Sequence, residues 1–432
     1  MKFEVAGKTV GVAGLARSGS SAAGWLLAHG ASVRVTERGD SEELRRAVRR
    51  LQVASADAGE RLRVELGRHT REFLRGCDFL VVSPGVPEEA LPLVWAREER
   101  VPVLAEVELA ARACAGTIVA VTGTNGKTTV TTLLGELLPA TKRPVVVCGN
   151  IGRPFIEMVD AVTPETIVVL EISSFQLLYC DTLKPSVGVL LNITQNHLDR
   201  HASLAEYAAA KRRLFANQNA HDWAVLNADD PAVKRLSRRL TAQIVWFGKT
   251  SGVPRTNPNE QAVWRVGELF RLPEETIRRV LDGFRGLPHR LEVIGVKRGV
   301  RFINDSKSTT PASLCWALER VAPPAIVLVG GRNKGADFGT VKTLVARMDG
   351  HRPKLIIALG EARRTIAAVL RGAVSLRQAA TLEEALRLAC RQARAGDTVL
   401  LSPGCASFDQ FRNYEERGDR FRTLVRQLGE GS

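Results

Sequence analysis

Aromatic residues are scarce in this chain of 432 residues, at 5% of the total, and methionine occurs three times. A surface that stacks nucleobases needs aromatics interleaved with basic side chains. No such stretch exists, so no nucleic-acid partner is expected. Long apolar runs are missing as well. None reaches the ~18 residues of a membrane-spanning helix, and the best, 325–331, is the size of a strand, so no membrane insertion is expected. The 7 cysteines are scattered without a C-x-x-C pair. That pattern argues against a disulfide framework or a cysteine-built zinc site, and for reduced thiols in a cytoplasmic protein. Glu4 stands where a signal peptide needs an apolar core, so secretion is not expected. Low-complexity segments and internal repeats are also lacking.

What is present is the balance of an ordinary globular protein, 45% apolar and 25% charged. At ~150 residues per domain the length suggests about three domains. Lys+Arg of 61 against Asp+Glu of 46 gives a net charge of +15. The basic residues are spread along the chain, which suits solvated faces or small polyanionic metabolites.

Strand-like runs alternate with helical patterns from end to end, which reads as an α/β protein with parallel sheets. Strands are expected at 9–13, 32–36, 79–83, 118–122, 167–170, 187–191, 300–303, 325–330, 355–359 and 398–402, and helices at about 20–29, 106–113 and 207–215. A Gly/Pro stretch around Gly286-Leu287-Pro288 marks a boundary. The expected domains are 1–105, 106–287 and 288–432: Rossmann-like, P-loop ATPase-like and Rossmann-like in turn.

The strongest local signal is Thr122-Gly123-Thr124-Asn125-Gly126-Lys127-Thr128-Thr129, between an expected strand and helix. Such a loop turns backbone N–H groups and a helix N-terminus towards phosphate oxygens. Lys127 then meets the β/γ phosphates and the Thr128 hydroxyl can ligate Mg²⁺. Position 121 is Val where the first glycine of the full-length loop would fall. Glu171, at the end of the 167–170 strand, stands where a Mg²⁺-holding carboxylate belongs, although a glutamate there is also an ordinary loop residue. The loop 192–201 concentrates His197 and His201; His197 could ligate a metal, touch phosphate or simply be solvated. Lys211, on its helix, reads as a surface lysine. The N-terminal turn Gly14-Leu15-Ala16-Arg17-Ser18-Gly19 is a degraded dinucleotide-binding turn, with Ala16 where the second glycine gives pyrophosphate room. Glu37 and Arg38 follow the next strand, and Ser83-Pro84-Gly85 offers amides to the same crevice. These suit a sugar-nucleotide or dinucleotide, or a structural βα turn. In the last third, Asp305-Ser306-Lys307-Ser308-Thr309, Gly330-Gly331-Arg332-Asn333-Lys334 and Ser402 to Asp409 all follow strands and suit a small anion.

In this order, T-G-T-N-G-K-T-T, G-N-I-G, E-I-S-S-F-Q, H-L-D-R-H, G-L-P-H-R, N-D-S-K, G-G-R-N-K-G and S-P-G-C-A-S-F-D resemble the Mur ligase family of ATP-dependent amide-forming enzymes, and most of all its D-glutamate-adding branch. The resemblance implies a UDP-sugar domain, an ATP domain and an amino-acid domain, acting on UDP-N-acetylmuramoyl-L-alanine, ATP and D-glutamate with two Mg²⁺ ions. It implies a monomer working through an acyl phosphate. Lys127, His197, Lys211 and Lys334 would be catalytic. Gly123 to Thr129, Arg290 and Asp305 would serve ATP. Thr128, Glu171, His197 and a carbamylated Lys211 would serve the metals. Gly14, Leu15, Ala16, Arg17, Glu37, Arg38, Ser83, Pro84, Gly85 and Asn150 would bind the UDP-sugar. Lys307, Thr309, Lys334, Ser407 and Phe408 would bind D-glutamate. The chain departs from the family at Asn196 and Thr310, where Asp and Asn are usual. Between Trp246 and Pro273 it is shorter, without the H-N-x-x-N stretch that contributes to the adenine pocket.

Overall fold

The computed structural model describes residues 3–54, 60–194, 203–284, 286–333 and 335–428. Contacts divide the chain into two compact units, Met1–Phe284 and Arg285–Ser432.

The first unit carries two parallel sheets. One is built from β1 (Thr9–Ala13), β2 (Ser32–Glu37), β3 (Leu62–Leu66), β4 (Phe79–Val82) and β5 (Val103–Ala105), in the order β3-β2-β1-β4-β5. The other is built from β6 (Thr117–Thr122), β7 (Val145–Gly149), β8 (Ile167–Glu171), β9 (Val187–Leu190), β10 (Trp223–Asn227) and β11 (Gln243–Phe247), in the order β11-β10-β9-β6-β8-β7. Strands β4, β8 and β9 are buried at every position, the pattern of strands covered by helices on both faces. The two layers are joined along the helices Arg17–Ala28 and Glu106–Ala113. Trp25 Nε1 donates to Asp160 at 2.9 Å, and Glu108 accepts from the Thr182 and Leu183 amides at 2.9 and 3.0 Å. Glu106 is 1% exposed and accepts from the Ile156 amide at 2.7 Å, while its other oxygen has no partner. Burial raises its pKa to about 7.

The second unit holds β12 (Glu292–Lys297), β13 (Val300–Asn304), β14 (Ala325–Gly330), β15 (Leu355–Leu359), β16 (Leu376–Ala379) and β17 (Thr398–Leu401), in the order β12-β13-β17-β14-β15-β16. All pairs are parallel except β12 with β13, a hairpin at the sheet edge that the expectation of parallel strands did not include. Its tight turn through Arg298 (φ 51°) and Gly299 (φ 73°) sets the antiparallel register. All seven cysteines are free thiols. Among the described residues no helix is long and apolar enough to cross a membrane.

Each sheet reverses its strand order at a point where ligands of such folds collect. There a short bond ties the loops of two separate strands. Ser83 Oγ, after β4, donates to the Gly14 carbonyl after β1 at 2.9 Å. The Asn192 side chain, after β9, pairs with Asn125 after β6. Ser402 Oγ, after β17, donates to Asp305 after β13 at 2.8 Å.

Candidate functional site

The central loop is shaped by two glycines. Gly123 (φ 156°) and Gly126 (φ 87°) take left-handed backbone, and Gly126 caps the helix Lys127–Leu137. A Cβ on Gly126 would stand 2.3 Å from Asn259 Oδ1, so the loop lies tight against the first turn of the helix Pro258–Leu269. Asn192 braces the loop from the other side. Its carbonyl accepts from the Thr124 amide at 3.0 Å, its Oδ1 from the Asn125 amide at 2.8 Å, and its Nδ2 donates to the Asn125 carbonyl at 3.1 Å. Asn227 and Asp230, after β10, hold that strand exit in turn through Leu191 and Ile193.

Two lysines converge on the loop. Lys127 Nζ donates to the carbonyls of Gly123 and Thr124, both at 2.9 Å. Lys211 Nζ donates to the same Gly123 carbonyl at 2.9 Å and lies 4.5 Å from the Tyr207 ring. Reading Lys211 as a surface lysine is therefore wrong: it is 1% exposed. The helix Leu204–Arg212 packs this face inward, a tertiary contact that the local sequence does not encode. Burial first, and the nearby Lys127 charge second, hold its pKa well below the usual lysine value.

Glu171 ends β8 at 1% exposure, so the solvated-loop alternative fails. One carboxylate oxygen accepts from Asn150 Nδ2 at 2.8 Å, and the other is buried without a hydrogen-bond partner. A buried, unmatched carboxylate oxygen is the donor chemistry a hard cation takes, and β8 lies beside β6, whose exit leads to Thr128, so these residues fit Mg²⁺. Asn150 thus sits on the carboxylate. The adjoining Ser173 and Gln176 form a capping box for the short helix Ser174–Leu177. His197, and Asn196 beside it, lie outside the described residues.

At the N-terminal crevice, Glu37 binds protein on both oxygens, accepting from the Leu15 amide at 2.8 Å and the Gly39 amide at 2.9 Å. It shapes the turn after β1. Gly19 is required there, because a Cβ would fall 1.8 Å from the Gly14 carbonyl oxygen. Ala16 caps the helix without a side-chain bond. A cleft of about 590 Å³ opens beside Leu15, Ala16, Arg17, Ser20 and Glu157. Ser83 is buried, Pro84 is partly so, and Arg38 and Gly85 are exposed.

In the second unit Asp305 is buried and satisfied internally. It accepts from Ser308 Oγ at 2.5 Å, Ser402 Oγ at 2.8 Å and the Leu291 amide at 3.2 Å. The Arg290 guanidinium lies 5.5 Å from the Trp316 ring. A pocket of about 480 Å³ is lined by Thr309, Arg332, Ala406, Ser407, Phe408 and Tyr414, among others. Lys307 Nζ lies 5.9 Å from the Tyr414 ring. Thr310, the departure from the family's Asn, caps the helix Pro311–Leu318 with a capping box to Ser313, which accounts for a hydroxyl there. Lys334 lies outside the described residues. The sequence reading missed Asn259, Tyr414 and Arg417. Asn259 follows a helix-starting Asn-Pro, but its contact with Gly126 depends on the fold.

Three family profiles match the chain in series: "Mur ligase MurD-like, N-terminal domain" over residues 8–105, "Mur ligase middle domain" over 121–276, and "Mur ligase, glutamate ligase domain" over 289–405. Curated relatives named UDP-N-acetylmuramoylalanine--D-glutamate ligase are similar throughout. That of Koribacter versatilis is 37% identical over 460 aligned positions, covering 99% of both chains. That of Geotalea uraniireducens is 38% identical, covering 100% of both. An alignment of 460 positions against 432 residues means gaps on this side, in keeping with the shortened stretch before Pro273. Among solved structures, the UDP-N-acetylmuramate-alanine ligase of Thermotoga maritima has the same fold, with a TM-score of 0.58 at 17% identity, over 98% of this chain and 100% of that one. So does a pseudomurein peptide ligase of Methanothermus fervidus, at 0.55 and 17% over 98% and 100%. With all three domain profiles in order and full-length relatives well above 30% identity, the chain belongs to the Mur ligase family.

Proposed function

We propose that this chain is an ATP-dependent ligase that adds D-glutamate to UDP-N-acetylmuramoyl-L-alanine, a step of peptidoglycan precursor synthesis. The observation that carries the reading is the convergence of Lys127 and Lys211 on the Gly123 carbonyl, in a phosphate loop one strand away from the buried Glu171. The substrate's alanyl carboxylate attacks the γ-phosphorus of ATP, ADP departs, and an acyl phosphate forms. The D-glutamate amine then attacks the acyl carbon. The tetrahedral intermediate expels inorganic phosphate, the nitrogen loses a proton, and an amide remains. An oxide leaves a carboxylate poorly and a phosphate leaves it well, so the protein's share is positioning and charge neutralisation.

Lys127 exchanges its loop carbonyls for β/γ phosphate oxygens, which the N–H groups of residues 123–129 surround. Burial lowers the Lys211 pKa and so favours the neutral amine, the form that adds CO₂. Its nitrogen bonds the carbon and loses a proton, giving an anionic carbamate. That carbamate, with Thr128, Glu171 and His197, would hold two Mg²⁺ ions, which supply charge neutralisation at the transferring phosphoryl group. Leu15, Ala16, Arg17, Glu37, Arg38, Ser83, Pro84, Gly85 and Asn150 serve the UDP-sugar. Arg290 and Asp305 serve the nucleotide side. Lys307, Thr309, Lys334, Ser407 and Phe408 serve D-glutamate. The enzyme works as a cytoplasmic monomer on soluble substrates.

The test is phosphate release from ATP with Mg²⁺ and UDP-N-acetylmuramoyl-L-alanine, supplied in turn with D-glutamate, L-glutamate, L-alanine and a diamino acid. Release with D-glutamate alone is expected. Release with another of the four moves the specificity, and release with none overturns the reading.

A further inference from the structure

Beneath the wall of the second unit's pocket lies a charge that the reaction scheme does not use. The helix Tyr414–Gln427 (YEERGDRFRTLVRQ) is rich in charge, yet Arg417 on it is 1% exposed. The helix approaches closely here: a Cβ on Gly418 would stand 2.1 Å from His289 Nδ1. Among the described residues the three hydrogen bonds of the Arg417 side chain go to neutral oxygens. Nε donates to Ser306 Oγ at 2.9 Å, one terminal nitrogen to the Cys405 carbonyl at 3.1 Å, and the other to the Ser306 carbonyl at 2.9 Å. Asp409 is the carboxylate whose charge reaches it. That carboxylate is already engaged by the Glu361 amide at 3.1 Å and Gln410 Nε2 at 3.3 Å. On the pocket side, Arg332 is paired with Glu361 at 3.0 Å, and Glu415 stands on the lining. A neutral donor would hold the same three oxygens with less desolvation cost. A buried guanidinium is tolerated where its charge is matched, and the match here is incomplete.

The bond to Cys405 has a second effect. In a trans peptide the C=O and N–H point in opposite directions. With the Cys405 carbonyl turned to Arg417, the Ala406 N–H faces away from it. Ala406 lines the pocket, and its carbonyl accepts from the Arg332 amide at 2.9 Å. Ala406 and Arg332 form an antiparallel bridge, so that N–H is directed at the Arg332 backbone and the pair fixes Arg332 at the pocket edge.

We propose that Arg417 is a positioning residue that sets the pocket's preference for an acidic amino acid, supplying positive charge from behind the wall and fixing the Cys405–Ala406 peptide that holds Arg332 at the pocket edge. This rests on the reading of that pocket as the amino-acid subsite. In a poorly solvated wall such a charge acts across a few ångströms with little screening.

Arg417→Lys keeps the charge and Arg417→Gln removes it, and both are compared with the full-length wild type. Steady-state phosphate release gives KM for D-glutamate, ATP and the UDP-sugar, and the preference for D-glutamate over neutral D-glutamine. Calorimetric titration with D-glutamate gives affinity without turnover. Arg417→Gln should weaken D-glutamate roughly tenfold or more and shrink the preference over D-glutamine, while the KM values for ATP and the UDP-sugar stay within about twofold. Arg417→Lys should restore most of the preference. Equal D-glutamate affinity in wild type and Arg417→Gln overturns the proposal, and so does a parallel rise in all three KM values. If Arg417→Gln does not fold, loss of the preference in a folded Arg417→Lys overturns it. A wild type that binds D-glutamate but does not turn it over counts against the reaction assigned above, not against Arg417.

Discussion

Replacing Gly126 with alanine probes the central loop at its tightest point. The backbone there is left-handed (φ 87°), which costs an L-residue about 1–2 kcal/mol. The new methyl would also meet Asn259 Oδ1 at 2.3 Å and its Cγ at 3.0 Å, well inside contact distance. Overpacking of that kind adds about 1–3 kcal/mol, because Asn259 must rotate away. The sum, about 2–5 kcal/mol, should lower the melting point of the first unit by about 3–8 °C in scanning calorimetry. The two contributions separate in a double-mutant cycle. Asn259→Ala removes the colliding atoms and leaves the strain, so Gly126→Ala with Asn259→Ala should recover the overpacking share, about 1–3 kcal/mol. KM for ATP, read from phosphate release, should rise in Gly126→Ala and recover in part in the double variant. A cost below about 0.5 kcal/mol for the single variant, or no coupling with Asn259, would refute the packing of this loop described above.

Three further perturbations follow from named contacts. Glu106, with its pKa raised to about 7, keeps its proton in the folded chain where the unfolded chain has lost it, so stability falls as pH climbs from about 4.5 to 7 and stays lower above. Glu106→Gln keeps the acceptor for the Ile156 amide, so its melting point should exceed that of wild type at pH 8 and match it near pH 4.5. Lys211 behaves in the opposite sense. Its lowered pKa means that unfolding takes up a proton at any pH between the folded value and 10.5, so its penalty fades as pH rises towards 10.5. In CO₂-free buffer Lys211→Met should flatten that slope of melting point against pH, and it should abolish phosphate release. Asn192→Ala removes both side-chain bonds to Asn125, and at about 1 kcal/mol for each it should raise KM for ATP roughly thirtyfold, with KM for D-glutamate unchanged.

The phosphate loop was legible because its signal is local. Gly123, Gly126 and Lys127 stand at fixed spacing between an apolar run and a helix start, and backbone geometry leaves that pattern few alternatives. The buried strands were legible for the same reason, as short runs without alternation. Lys211 was not, because nothing in Ala-Ala-Lys-Arg-Arg-Leu tells which of three adjacent cations turns inward; the packing of its helix against the helix Ser174–Leu177 decides it. Arg417 was hidden in a helix whose composition reads as solvent-facing, and its partners Ser306 and Cys405 belong to other loops. The hairpin β12–β13 escaped because its exposed Val293 and Val296 blur the apolar pattern of an edge strand. Glu37 was legible as a carboxylate at a strand end, but the sequence does not show that the Leu15 and Gly39 amides reach it.

The bonds that tie Gly14 to Ser83, Asn125 to Asn192 and Asp305 to Ser402 bear on how this chain can drift over generations. Each joins loops far apart in the chain, but Ser83 and Asn192 reach backbone groups of Gly14 and Asn125, whereas Asp305 and Ser402 meet side chain to side chain, so that a change in one strands the other. Selection therefore bears on Ser83 and Asn192 singly and on Asp305 and Ser402 jointly. An alignment deep enough to show co-substitution should find Asp305 and Ser402 changing in concert, while Asn192 holds whatever residue stands at 125.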